Sequence, residues 1–385
     1  MKIRALFIIG VALALLTGCA GAGVFADYRE VEQLEIIRTI GIDKGPEGVT
    51  VTADTGVEED GRAPKLFRTA APTLSAALEQ LQETPRGRRM VFAHTEQVVI
   101  GETAARAGLA GYLDYIERAT EMRIGTGVFI VRDGTAEDLL AACAGEGSSA
   151  ADMLLFLKTE IRNMGCGFVY TCGDIAAGLA SEGCALAQAV ERAPGETVTE
   201  EERAMVRPAG FAVLAEGALA GYLTEEESRG AALLLGKVER DDMTAAAESG
   251  TAALSFRGAG MRVRPLFLGG SLDRLSVAVR TEAAVKEASE GLTLTAAETR
   301  RALAQDLAAR ETERAAAAVA RSQAMGLDFL GLCAAAERAS PLRFGALRDR
   351  GAADIGTMTV EVTVSAAVRR TFDVADPFSV RGKGA

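Results

Sequence analysis

The chain has 385 residues, 49% of them hydrophobic, and a formal net charge of −11. That length accommodates two or more domains, and the acid excess argues against nucleic acid and against a polybasic grip on anionic lipid. A single histidine, His94, removes most Ser/His/Asp, Cys/His and His-metal arrangements.

The first residues predict an export signal. Lys2 and Arg4 precede an apolar run from Ala5 to Leu16, too short to span a bilayer, which needs about 20 residues. A basic start, a short apolar middle and small residues after it make a secretory signal peptide over 1–18. Leu16-Thr17-Gly18-Cys19 resembles the bacterial lipobox. In that pattern the cysteine thiol takes a diacylglyceryl group and the peptide is cut just before it. Cys19 is therefore the expected lipid attachment site, and the covalent diacylglyceryl group the only cofactor expected. Residues 19–26 become a lipidated tether. Loss of the two positive charges in residues 1–18 would take the net charge from −11 to −13.

Next, Leu34 to Ile42 and Val49 to Ala53 read as a hairpin, with Asp43 to Gly48 supplying turn chemistry. Leu74, Ala77, Leu78 and Leu81 follow helical spacing behind a possible Thr73 cap. Glu96–Gly101 reads as a buried strand, with His94 before it in a structural hydrogen bond. Leu109, Tyr112, Leu113 and Ile116 make a helix face, and Val128–Val131 another strand. Residues 137–192 are rich in small residues and read as helical in pieces. Ala193–Arg203 has Pro, Gly and acids without apolar period, as a linker does.

Phe211 to Leu223 reads as a hairpin about Glu216-Gly217, and Thr224 with Glu227 as a capping box. Leu275, Val277 and Val279 alternate, as do Met358, Val360, Val362 and Val364, so both segments read as half-buried strands. Between them an alanine-rich helix runs from Thr295 to Met325. Thr295 and Glu298 suggest a capping box, Asp306 and Arg310 an i,i+4 pair, and Gly326 a stop. This helix is expected to pack on the sheet those strands form.

The fold class is α/β (α+β), with separate mixed or antiparallel sheets flanked by helices. The expected domains are an N-terminal α/β unit over 27–195, a linker with a small middle domain over 196–245, and a C-terminal α+β unit over 246–385. Cys143, Cys166, Cys172, Cys184 and Cys333 lack zinc-ligand spacing. Two readings stand for them: buried unpaired thiols, or one bridge among Cys166, Cys172 and Cys184. Gly269–Arg274 lacks the ending of a phosphate loop. With no catalytic constellation, binding or assembly is the default, and an enzyme is not expected.

Several segments, in order, resemble the C-subunit lipoproteins of spore-germination receptors, the Ger(x)C family. They are "DYREVEQLEIIRTIGIDKGPEGVTVT", the run from "RRMVFAHTEQVVIG" to "RDGTAEDLL", "GFAVLAEGALAGYLTEEESRG", "QAMGLDFLGLCAAAERASPLRF" and "VEVTVSAAVRRT". Two features depart from the family's pattern. Seven residues, Ala20–Ala26, precede Asp27 where the family often has Trp-Asp, and a Phe-Gly pair becomes Phe329-Leu330-Gly331. The resemblance implies a non-enzymatic lipoprotein on the outer face of the inner spore membrane. It implies two integral-membrane partners, the A-type and B-type receptor subunits, with the bilayer reached through the anchor. Candidate partner contacts are Asp27, Arg29, Glu30, Glu121, Arg123 and Arg229. Glu121 and Arg123 are expected to pair with each other or with a neighbouring loop. A solute-binding lipoprotein serving a transporter is the alternative reading.

Overall fold

The computed structural model describes residues 33–57, 63–83, 88–145, 147–193, 206–349 and 353–370. Cys19, Asp27, Arg29, Glu30 and residues 194–205 of the expected linker lie outside them.

The strands β2 (Thr39–Gly45), β3 (Gly48–Asp54) and β4 (Leu66–Ala71) form one antiparallel edge of an eight-stranded sheet. Its centre is parallel: β2 pairs β6 (Gln97–Ile100), then β7 (Gly127–Val131), then β8 (Cys184–Arg192). Strands β9 (Val206–Ala215) and β10 (Ala218–Tyr222) add an antiparallel edge on the far side. Every residue of β6 and β7 is buried, as parallel strands covered on both faces require. A small parallel pair, β1 (Leu34–Ile36) with β5 (Arg89–Val91), lies outside this sheet.

Helices α1 (Leu74–Glu83), α2 (Glu102–Ala107), α3 (Ala110–Arg118) and α6 (Cys172–Glu182) bury Leu74, Leu78, Leu113, Ile116 and Ile175 against one face. Helices α4 (Ala136–Gly145) and α5 (Ala150–Asn163) bury Leu139, Leu140, Leu154 and Ile161 against the other. The boundary expected at 195 falls between β8 and β9. Those two strands are antiparallel partners, so the expected middle segment contributes two strands to this sheet.

The second sheet has the order β11 (Asp241–Ala247), β12 (Gly250–Leu268), β13 (Ser271–Ala288), β14 (Val360–Arg370). Its last pair is parallel, which demands a long crossover. That crossover carries α8 (Ala297–Met325), α9 (Leu332–Ala339) and α10 (Pro341–Arg348). Leu303, Leu307, Ala315, Ala318 and Val319 of α8 pack into the core shared with Leu275, Val277 and Val279. The long helix thus rests on the sheet expected for it. α7 (Glu225–Leu234) crosses α8 beside β11.

Several local expectations change. Residues 137–192 give three helices but end in a nine-residue strand, β8. The expected box at Thr295 and Glu298 does not form; Ala296 is the uncapped start of α8. Arg300 Nη1 instead donates to the carbonyls of Leu294 and Thr295, each at 2.7 Å. Gly326 closes α8 at φ 65°, a left-handed stop that glycine adopts without a Cβ penalty. The Asp306–Arg310 pair forms at 3.3 Å.

Candidate functional site

The α5 helix, from the first sheet, ends at Asn163, and the chain then turns through Met164 and Gly165. Here it meets α7, β11 and α8. Arg229 of α7 donates from Nη1 to both carboxylate oxygens of Asp241, at 3.1 and 3.0 Å, and to the Met164 carbonyl at 3.0 Å. Its Nε and Nη2 hold Glu225 Oε1 at 3.3 and 3.2 Å. Arg314 of α8 donates to Glu311 Oε1 at 2.6 Å and to Glu226 Oε2 at 2.6 Å, and its Nη1 lies 3.8 Å from Asp241. Arg162 pairs with Glu239 alongside. The Asp241 and Glu311 side chains are only 6% and 2% exposed. Burial pushes both carboxyls up, against the pull of the two guanidinium groups.

The segment Glu227-Ser228-Arg229-Gly230 builds this joint residue by residue. Glu227 closes the expected capping box with Thr224. Ser228, fully buried, accepts the Phe211 N–H at 3.1 Å and donates to the Thr224 carbonyl at 2.7 Å, pinning α7 to β9. Arg229 ties α7 to β11 and α5. At Gly230 a Cβ would collide with the Arg314 carbonyl, so glycine permits the close crossing of α7 and α8. Arg229 was a candidate partner contact; its guanidinium is committed inside the molecule. Asp241, Glu311 and Arg314 escaped the sequence reading. The i,i+3 spacing of Glu311 and Arg314 was the one available signal.

Glu121 and Arg123 do not pair with each other. Glu121 accepts from Gln82 Nε2 at 3.2 Å and faces Arg89 at 3.7 Å. Arg123 is exposed, with no side-chain partner among the described residues. His94 is exposed on the turn before β6, without the expected hydrogen bond among those residues. Asp43, expected in a turn, is buried in β2 and accepts the N–H groups of Ala136 and Glu137, both at 2.8 Å. It satisfies donors that the start of α4 leaves free. Asp328 does the same for α9 through Leu332 and Cys333, at 2.8 and 2.7 Å.

Burial raises the carboxyls of Asp43, Asp54 and Asp328 above the ordinary aspartate value. A raised folded-state value gives stability that is complete below about pH 4 and is lost as pH rises through the folded value. Asp114, held low by its hydrogen bond from Arg118, and Glu102 and Asp242, where desolvation is outweighed by hydrogen bonds from the Asp133 N–H and from Lys286, have the opposite sign and act only below the ordinary carboxylate range. The melting temperature should therefore rise as pH is lowered from 7 towards the ordinary aspartate value. A steady fall over that interval, read by circular dichroism, would contradict this assignment.

Cys143, Cys166, Cys172, Cys184 and Cys333 are all free and buried. Burial pushes the thiols of Cys143, Cys172, Cys184 and Cys333 up to about 12, which makes them poor nucleophiles. Among the described residues no three His, Cys, Asp or Glu side chains form a metal-binding group, and no single helix is long and apolar enough to cross a membrane.

The outer face of α5 carries an apolar groove of about 870 Å³, lined by Met153, Phe156, Leu157, Met164, Val206 and Pro208. Phe156 is 68% exposed and Met164 50%. Asp152, Glu160 and Arg207 rim it. An apolar centre with a charged rim is the anatomy of a protein interface.

A family model described as the spore germination protein N-terminal domain matches residues 27–192. A second, described as spore germination B3/GerAC like, C-terminal, matches residues 209–372. The crystal structure of the GerBC protein is similar to this chain, with a TM-score of 0.54 and 12% identity. The match covers 89% of this chain and 99% of that one, and at such identity it bears on the fold. A search of curated protein sequences returns no match. The buried joint lies where the two matched regions meet.

Proposed function

This chain belongs to the Ger(x)C family of spore-germination proteins, and on that premise we propose that it is the lipid-anchored, non-enzymatic C subunit of a nutrient germinant receptor. Its work is assembly and coupling at the outer face of the inner spore membrane. Its partners are the integral-membrane A-type and B-type subunits. The bilayer is reached through a diacylglyceryl group on Cys19.

The observation that carries this reading is the Arg229–Asp241–Arg314 joint between the two family regions. It fastens the end of α5 to α7, β11 and α8, so a displacement imposed on one region moves the other. A coupling subunit needs that rigidity. The anchor confines the body to a thin shell beside the bilayer. This raises its effective concentration at membrane partners, so modest contacts suffice.

We place a partner contact on the α5 groove. Phe156 is largely exposed, so Phe156→Asp should leave folding intact while placing a charge at the apolar centre. Losing one aromatic anchor costs about 2 kcal/mol, roughly thirtyfold in affinity. Pull-down of the tagged chain from spore membranes should recover correspondingly less of both partners. Undiminished recovery would remove the groove from the interface. Arg123, exposed and without a partner among the described residues, is a second candidate contact.

A further inference from the structure

We propose that the tip of the β12–β13 hairpin, with the start of α10, is a second membrane contact that binds anionic lipid headgroups. This rests on the reading of the chain as membrane-anchored. Side chains alternate between faces along a strand, so Arg262, Arg264, Leu266 and Leu268 share the outward face of β12. All four are exposed, Leu268 at 75%. The strand ends at the turn Gly269-Gly270.

On the inward face, the Arg343 guanidinium lies 4.1 Å from the centre of the Phe267 ring. That stacking holds the start of α10 against the hairpin tip. Leu342, its neighbour, is 90% exposed. Arg338 of α9 lines, with Arg262, Arg264 and Arg343, a groove between β12 and the two helices. Aliphatic side chains projecting from a tip, ringed by long cationic ones, match the two layers of a bilayer interface. The leucines reach the acyl boundary while the arginines stay at headgroup level.

Charge decides the occupant. The whole chain is strongly acidic, yet Arg262, Arg264, Arg338 and Arg343 have no carboxylate partner among the described residues. Arg274, opposite Leu266 on β13, does meet Asp273 at 3.4 Å and Glu361 at 3.6 Å. The four unpaired guanidinium groups make the tip locally cationic on an acidic chain. Anionic lipid is drawn to it, which orients the body on its tether.

The test places an environment-sensitive fluorophore on a Leu268→Cys chain carrying its lipid. The native thiols among the described residues are buried, so the new cysteine takes the label. A Glu248→Cys chain, labelled at the opposite end of β12, is the control. Both are reconstituted with vesicles rich in phosphatidylglycerol or made of phosphatidylcholine alone. The chain should float with both vesicles. Emission should shift to the blue only at position 268, only with phosphatidylglycerol, and not when Arg262→Glu and Arg264→Glu are added. No shift at 268, equal shifts at both positions, or equal shifts in both lipids overturns the proposal. So does a shift that appears only when the A-type and B-type subunits are supplied, which would assign the tip to a protein partner. The anchor is read separately: a chain without one but with a working tip floats only with the anionic vesicles, its fluorophore shifted.

Discussion

An Asp241→Ala chain is expected to unfold about 3–5 kcal/mol more readily than the parent in urea, the cost of removing one member of a buried ion pair. The Arg229 side chain is 16% exposed and Arg314 21%, so truncation leaves two guanidinium groups with little water to replace the lost carboxylate. Arg229 would keep Glu225, which is 73% exposed and contributes the small amount typical of a surface pair. Three elements, α5, α7 and α8, converge on Asp241 across the two family regions, so the loss should appear in both. Double replacement by Arg229→Met and Asp241→Leu should restore much of the stability, since apolar substitutes for a buried pair are often neutral or better. If the stabilised double variant folds but no longer supports germination, the charges serve coupling as well as folding. A cost below about 1 kcal/mol for Asp241→Ala would reduce the joint to the level of a surface ion pair.

The second large effect is expected at Cys19. A Cys19→Ala chain should fold normally and lose the stable membrane retention of its acyl chains, keeping only the reversible hold of the hairpin tip on anionic lipid. Two acyl chains bind stably where one holds marginally, at about 0.8 kcal/mol per buried CH₂. Without them the gain from local confinement, about 10²–10⁴ in apparent affinity, is lost. Receptor assembly should fall accordingly, read by recovery of the A-type and B-type subunits at native expression. A Cys19→Ala chain that assembles normally would show that protein contacts alone place the subunit.

Much of the architecture was legible because burial writes itself into period. Leu74, Leu78 and Leu81 announced α1, and Val360, Val362 and Val364 announced β14. Strand β8 was hidden because "CALAQAV" is buried on both faces and built largely of alanine. Such a run has no alternation to read and little strand preference. β11 and the first half of β12 are likewise rich in alanine and glycine, and Pro265 in the second half argues against a strand. The polar sites were harder. Asp43 sits next to turn residues in sequence, yet its carboxylate serves a helix start 93 residues away. Arg229 reads as a surface charge on a helix until Asp241 and Met164 are brought beside it. Those partners come from other elements, so no local pattern records them. In the Glu-Ser-Arg-Gly segment the role of Glu227 was legible through the capping box, while Ser228, Arg229 and Gly230 gain theirs only from the packing.

The central claim, that this chain is a working subunit of a nutrient receptor, is tested most directly by dipicolinic-acid release from spores that lack it. Parent, deletion and Cys19→Ala spores are exposed to a panel of single nutrients, with pressure as a trigger independent of receptor ligands. The account predicts that the deletion abolishes release for at least one nutrient while release under pressure is retained, and that Cys19→Ala lies between deletion and parent. Full release to every nutrient from deletion spores, with related subunits also removed, would contradict it and favour a solute-binding lipoprotein instead.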